Sequence, residues 1–198
     1  MTAVALLRHA PSDWNEAGLI QGRADRPLSP AGRALAATWR LPPTLAGWRT
    51  VTSPLRRACE TAACMGLAAV AVEPRLVEMD WGVWSGRTLA DLRRERGAAM
   101  AANEAAGFDF RPEGGESPRE VAMRLRAWLA EVAADGRPVV AVSHRGVQRA
   151  ALALACGWDL RDRPPLRLAR DVLLMLEVDR DGVVRSGEPA LLALARTP

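Results

Sequence analysis

Two short apolar runs constrain this chain most, and each ends on a histidine. Val4-Ala5-Leu6-Leu7 leads through Arg8 into His9, and Val139-Val140-Ala141-Val142 leads through Ser143 into His144. Neither run alternates apolar with polar residues, which is the pattern of a strand buried on both faces. Such strands belong to sheets with helices on both sides, and ligands bind where the strands of those sheets stop. The only two histidines of the chain both fall at such ends, one beside an arginine. Their placement marks a candidate active site.

Strand and helix signals alternate along the rest of the chain. A strand over about Val4–Arg8 is followed by a polar loop from Pro11 to Leu28. Ser29-Pro30 supplies an N-cap and first position for a helix to about Trp39, which Pro42-Pro43 stops. A second strand, Thr50–Thr52, precedes Ser53-Pro54, which repeats the cap signal and opens a helix through Ala62 ended by Gly66. A third strand, about Ala69–Val72, leads into an irregular Trp- and Gly-rich stretch from Glu73 to Arg87. Thr88-x-x-Asp91 has capping-box form for a helix to Arg96, and residues 97–115 read as a broken helix and a loop. Ser117-Pro118-Arg119-Glu120 opens a helix ending near Ala134. The His144 strand leads to a helix from Gly146 to Ala155, and Asp171–Val178 with Val183 onward reads as a hairpin around Asp181-Gly182. With no repeat, linker or composition break, the expectation is one domain over residues 1–198. Its architecture is a three-layer α/β/α sandwich, with helices on both faces of a mixed, mostly parallel central sheet.

Composition excludes several functions. Of 198 residues, 49% are hydrophobic and 25% charged, as in globular proteins. No stretch approaches the ~20 apolar residues of a membrane span. The opening run Ala3–Leu7 has neither a basic segment before it nor a cleavage site after it, so the expected location is the cytoplasm. Cys59, Cys64 and Cys156 show no metal spacing or disulfide framework and are expected to be small buried hydrophobes. All 27 basic residues are arginine; there is no lysine and no tyrosine. That removes a Walker lysine, a Schiff base and a lysine general base. The formal charge is +4, and acids interleave with the arginines, as over Asp91–Arg96. A nucleic-acid surface needs clustered basic residues, with aromatics for single strands, so neither nucleic acid nor a membrane is an expected partner.

Three strand ends carry groups suited to phosphate chemistry: Arg8-His9, Ser53-Pro54-Leu55-Arg56-Arg57 and Ser143-His144. Arginine meets phosphate through a planar fork of donors and stays charged at any working pH. A neutral imidazole can attack phosphorus and form a phosphohistidine, dividing one hard displacement into two easier ones. The transition state spreads charge over three oxygens, so surrounding donors supply most of the catalysis. The leaving alkoxide needs a proton, for which Glu78 is a candidate if apolar neighbours such as Trp81 and Trp84 raise its pKa. An Arg-His pair alone is a weak signal, and a lone strand-end histidine is more often structural; the argument rests on combination and order.

That combination resembles the histidine phosphatase superfamily, also called phosphoglycerate mutase-like. The resemblance lies in Leu7-Arg8-His9-Ala10-Pro11-Ser12-Asp13-Trp14-Asn15, in Gln21 through Leu28 to Gly32, and in Ser53 through Ala62. It continues in Glu78-Met79-Asp80-Trp81-Gly82-Val83-Trp84-Ser85-Gly86, in Gly114-Gly115-Glu116-Ser117 and in Val142-Ser143-His144, in the family's order over most of the chain. It implies that His9 is the phosphorylated histidine, that Arg8, Arg57 and His144 complete the phosphate pocket, that Asn15 adds a polar contact, and that Glu78 donates the proton. It selects Arg57 over its neighbour Arg56. Gln21, Gly22 and Arg145 are candidate substrate contacts. No metal or diffusible cofactor is implied. Two positions depart from the pattern: Ala10 replaces a glycine, acceptable unless the backbone there needs positive φ, and Arg145 stands where a small residue is common.

The interval from Glu78 to the Gly-Gly-Glu-Ser motif is short, about residues 87–113, whereas the mutases that resemble this core carry extra length there. A more open site favours transfer to water, so the expected activity is a phosphomonoesterase acting on a small phosphorylated metabolite. Phosphoglycerate mutase-type transfer is the alternative, and a non-catalytic phosphate- or protein-binding domain a second one. The alcohol half of the substrate and the oligomeric state stay open, a homodimer being one option.

Overall fold

The structure is a computed structural model that describes residues 1–185 and 190–196. Its strands are β1 (Thr2–Arg8), β2 (Trp39–Arg40), β3 (Arg49–Thr52), β4 (Ala71–Val72), β5 (Val139–Ser143), β6 (Val172–Val178), β7 (Ala190–Ala193) and β8 (Ala195–Arg196). Its α-helices are α1 (Asp13–Glu16), α2 (Pro30–Thr38), α3 (Arg56–Cys64), α4 (Leu89–Ala105), α5 (Pro118–Asp135) and α6 (Arg145–Cys156). Six strands form one sheet in the order β4-β3-β5-β1-β6-β7. The first four run parallel; β6 is antiparallel to β1, and β7 to β6.

The two apolar runs are neighbours, β1 beside β5, with Val4 opposite Val139 and Arg8 opposite Ser143. Both are covered on both faces. Val4, Leu6, Val139 and Ala141 enter one core with residues of α5 and α6, while Ala5, Leu7, Val140 and Val142 enter another with Ala36, Ala58 and Ala62 of α2 and α3. Consecutive side chains of a strand point to opposite faces, so a run without alternation serves both layers. This is the expected mostly parallel α/β fold. Among the described residues, no helix is long and apolar enough to cross a membrane.

Local departures have physical causes. The Pro11–Leu28 loop contains α1, where Ser12 and Asn15 form a reciprocal capping box. The helix expected to reach Trp39 stops one residue earlier, and Trp39 pairs with Arg196 in a two-stranded ribbon. The third strand is only Ala71–Val72, because Ala69 turns into a left-handed conformation with φ 51°. The helix expected to end at Arg96 runs on to Ala105 across a break at Gly97. The hairpin is present around Asp181-Gly182, with Val178 bridged to Val184, though its 186–189 stretch lies outside the described residues. The cysteines are less buried than expected: Cys59 and Cys64 are partly exposed, and Cys156 on the last turn of α6 is exposed. All three are free thiols.

Gly32 ties the sheet layer to the loop that follows His9. A Cβ there would stand 1.9 Å from the Pro11 carbonyl oxygen. Glycine to alanine inside a helix ordinarily stabilises by about 0.5–1 kcal/mol. Here overpacking, at about 1–3 kcal/mol, should outweigh that gain. Gly32→Ala should therefore lower the urea midpoint; a raised midpoint would mean that the Pro11 backbone yields freely.

Candidate active site

The ends of β1, β5 and β3 lie side by side and place three functional segments together. The backbone N–H of His9 donates to the Ser143 carbonyl at 2.9 Å, and that of Ser53 donates to the Val142 carbonyl at 2.9 Å. The imidazoles of His9 and His144 consequently pack against each other, with ring centroids 5.2 Å apart and planes inclined at 56°. His9 lines a cavity of about 630 Å³ together with Arg8, Asn15, Arg57 and Glu78. Gln21, Gly22 and Arg145 also line it, whereas His144 does not: its ring is fully buried behind that of His9.

Hydrogen bonds define the state of His9. Its Nδ1 lies 2.6 Å from the Ala10 carbonyl oxygen, which can only accept. Nδ1 therefore carries the ring proton, and Nε2 keeps its lone pair. Burial holds the His9 pKa well below its ordinary value, and the positive charges of Arg57 and Arg8 press it further down. His144 is lowered in the same way, by burial first and then by Arg57 and His9. Its Nε2 hydrogen-bonds the Ser53 hydroxyl at 2.7 Å, and its Nδ1 has no partner among the described residues.

Ser53 is thus not the helix cap its sequence context suggests. Helix α3 begins at Arg56 with Leu55 as N-cap, and the Ser53 hydroxyl is spent on His144 and on the Leu55 N–H. The later start points Arg57 inward. Its two terminal nitrogens donate to the carbonyls of Ala24 and Gly22, each at 2.8 Å. Arg56 is exposed and pairs with Glu60 at 2.6 Å. Gly22 therefore meets the site through its carbonyl, as a brace for Arg57. Asn15 accepts the Ser12 N–H with its side-chain oxygen, which leaves its amide donors for a ligand.

Ala10 is accommodated. It has no positive φ; its N–H donates to the Thr61 hydroxyl at 3.0 Å, and that hydroxyl donates in turn to the Arg57 carbonyl. Glu78 sits across the first turn of α6, accepting the Gly146 N–H at 3.0 Å and its own Met79 N–H at 2.9 Å. A Cβ on Gly146 would stand 2.4 Å from the Glu78 carboxylate, so that position admits no side chain without moving the acid. Trp81 lines the cavity near Glu78, but Trp84 does not: it is packed against Leu92 and Met100. Glu116 of the Gly-Gly-Glu-Ser motif is paired with Arg124 at 2.9 Å, and its N–H holds the Asp80 carbonyl. That motif braces the segment carrying Glu78 without lining the cavity.

Sequence reasoning passed over Thr61, Gly146, Arg149 and Arg170. Arg170 donates to the His9 carbonyl at 3.1 Å, and Arg149 lines the cavity one turn after Arg145. Nothing near Arg170 in the sequence signals its place. Arg149 is one helical turn from Arg145, a spacing that could have exposed it. Burial, and then the charge of Arg170, lower the Arg8 pKa to about 9; burial and Arg145 lower that of Arg170 to about 10. Both guanidiniums remain charged at neutral pH.

Comparison with known proteins agrees with this geometry. The family model described as "Histidine phosphatase superfamily (branch 1)" matches residues 4–186. The chain belongs to the histidine phosphatase superfamily. It is 37% identical over 182 residues to the glucosyl-3-phosphoglycerate phosphatase of Mycobacterium tuberculosis, covering 82% of this chain and 79% of the relative. It is 34% identical over 163 residues to a probable phosphoglycerate mutase of Proteus mirabilis, covering 79% and 73%. Among solved structures, the mycobacterial glucosyl-3-phosphoglycerate phosphatase in complex with VO3 superposes with a TM-score of 0.78 at 29% identity over all of both chains. The chain is an enzyme of this superfamily, a phosphatase.

The depressed imidazoles make a prediction that the histidine phosphatase site can be held to. With only two histidines, each ring is resolvable by NMR. Neither should titrate between about pH 7.5 and about 5.5, although a free imidazole would. The sign for stability follows. Above about pH 6.5 both folded and unfolded rings are neutral. Below it the unfolded chain takes up protons that the folded one refuses, so these groups lower stability as pH falls. A ring titrating near its ordinary value would contradict the buried, arginine-flanked placement.

Proposed function

We propose that the chain hydrolyses small phosphomonoesters with His9 as nucleophile, through a phosphohistidine. The observation that carries this reading is the commitment of His9 Nδ1 to the Ala10 carbonyl, which reserves the Nε2 lone pair for attack. Burial and neighbouring arginines keep that ring unprotonated before substrate arrives. As Nε2 bonds to phosphorus the ring gains positive charge, and the Nδ1–H···O=C bond strengthens to meet it. The ester P–O bond breaks, and the leaving oxygen takes a proton from the Glu78 carboxyl. Water then attacks phosphorus, Glu78 accepts its proton, the P–N bond breaks and phosphate departs. Arg8 and Arg57 hold the equatorial oxygens together with the Asn15 amide, while the buried His144 ring packs against that of His9. The three free cysteines fit a reducing, cytoplasmic setting.

The mutase relative favours a second reading, in which a second alcohol rather than water takes the phosphoryl group from His9. Inorganic phosphate released in step with alcohol supports hydrolysis; transfer without phosphate release supports the mutase.

The test is chemical trapping. Brief incubation with substrate, then denaturation without acid, should yield an acid-labile phosphoenzyme. His9→Ala should lose both the phosphoenzyme and nearly all turnover; wild-type turnover in that variant removes His9 from the mechanism. Glu78→Gln separates proton donation from binding. An aryl phosphate leaves with little help, whereas an alkyl phosphate needs the proton, worth about 10²–10⁴-fold. Alkyl-phosphate hydrolysis should therefore fall far more than aryl-phosphate hydrolysis. Equal small losses on both would make Glu78 structural.

A further inference from the structure

The cavity holds more positive charge than one phosphate requires. Arg8 and Arg57 suffice for the three equatorial oxygens of a phosphoryl group. Arg145 and Arg149 line the same cavity from α6, one turn apart and therefore on one helix face. Neither has a carboxylate partner within ion-pair distance among the described residues. Two other arginines of the same lining supply an internal contrast: Arg93 is paired with Glu104 at 2.7 Å, and Arg161 with Asp159 at 3.7 Å.

Arg149 is also held in place. Its guanidinium lies over the Trp158 ring, 5.0 Å from the centroid, so the charge is fixed without being neutralised. Burial and the nearby charge of Arg145 lower its pKa, with Glu78 the one acid that offsets them. Glu78 sits on the first turn of the same helix, through Gly146. Arg149 therefore lies near the carboxylate proposed as the proton donor, and Arg145 opens the same turn. A fold that keeps these like charges adjacent in the cavity without a carboxylate partner carries an electrostatic cost that an anionic ligand removes.

We propose that the substrate bears a second anionic group on its alcohol half, and that Arg145 and Arg149 bind it. This rests on the phosphomonoesterase reading of the same site. The group is a carboxylate or a second phosphate; both suit a guanidinium pair.

Matched substrates test this on the full chain. 3-Phosphoglycerate and glycerol 3-phosphate differ by a carboxylate against a hydroxymethyl group. Fructose 1,6-bisphosphate and fructose 6-phosphate differ by a second phosphate. p-Nitrophenyl phosphate gauges the underlying activity. The doubly anionic member of one pair should show kcat/KM higher by about 10-fold or more, mostly through a lower KM. Which pair shows it identifies the group. Arg145→Met and Arg149→Met should each bring that ratio toward one. The ratio is taken within one protein, so partial loss of folded enzyme cancels. Turnover of p-nitrophenyl phosphate with both ratios near one in the unsubstituted enzyme overturns the second-anion subsite and leaves the phosphatase reading standing. A ratio that survives both substitutions overturns the assignment to Arg145 and Arg149. Absence of turnover on every substrate overturns the phosphatase reading, and this inference with it.

Discussion

The pairing of Arg8 with Ser143 across β1 and β5 is the contact on which the site depends. Because the two strands are parallel neighbours, they end on the same edge of the sheet, and the residue after each end is a histidine. A slip of one residue would turn one imidazole to the opposite face of the sheet. That slip is opposed by the whole length of the pair, since Val4 through Leu7 and Val139 through Val142 are fully buried. Each face has its own core, so no register shift exchanges a buried face for an exposed one without also disturbing both helix layers. The precision of the histidine pair is thus inherited from apolar packing that takes no part in the chemistry.

Burial has a second consequence at these strand ends. The proposed attack needs a neutral imidazole, and desolvation beside two arginines favours that form of His9. The same desolvation acts on the cations, and the choice of arginine answers it. Arg8 falls to about 9 and keeps its charge. A lysine lowered by a similar amount from its ordinary value would titrate at about 7 and lose much of its charge at working pH. A chain whose 27 basic residues are all arginine is not thereby explained, but inside this cavity the distinction matters. The fixed fork of Arg57 adds geometry to charge: two of its nitrogens are tied to backbone carbonyls of the loop after β1, so its position does not depend on a ligand.

Much of this was legible in the sequence, for identifiable reasons. Unalternating apolar runs gave away the buried parallel strands, and Ser-x-x-Glu at residues 117–120 located α5, whose capping box is complete in the structure. Ser53-Pro54 misled because a serine before a proline has the chemistry of a cap wherever it occurs. Only the tertiary neighbour His144 shows where its hydroxyl goes. Trp84 was expected beside Glu78 because it is close in sequence, yet the turn at residues 82–84 carries it into a separate cluster with Leu92 and Met100. Arg170 was invisible because its contact with the His9 carbonyl spans 161 positions and depends on where a long loop returns to the sheet edge.

The two ends of the cavity are built under different constraints. At the phosphoryl end, each group is attached to a strand terminus or braced by backbone carbonyls, and its neighbours are buried. A change at Ser53, Thr61 or Gly22 would move a hydrogen bond that also fixes His144, Ala10 or Arg57. At the other end, the lining comes from the exposed side of α6 and from the loop after it, including Leu160, which holds a left-handed φ of 70°. Val147 and Ala151, which enter the core beneath the sheet, lie on the side of the helix opposite Arg145 and Arg149, so the lining arginines meet the cavity without entering that core. Arg145 illustrates this: it is the first residue of α6, its exposed side chain lines the cavity, and it stands where the superfamily pattern commonly has a small residue. In the proposed mechanism the sheet therefore fixes the reacting groups, and discrimination among phosphomonoesters falls to the helix face that meets the cavity.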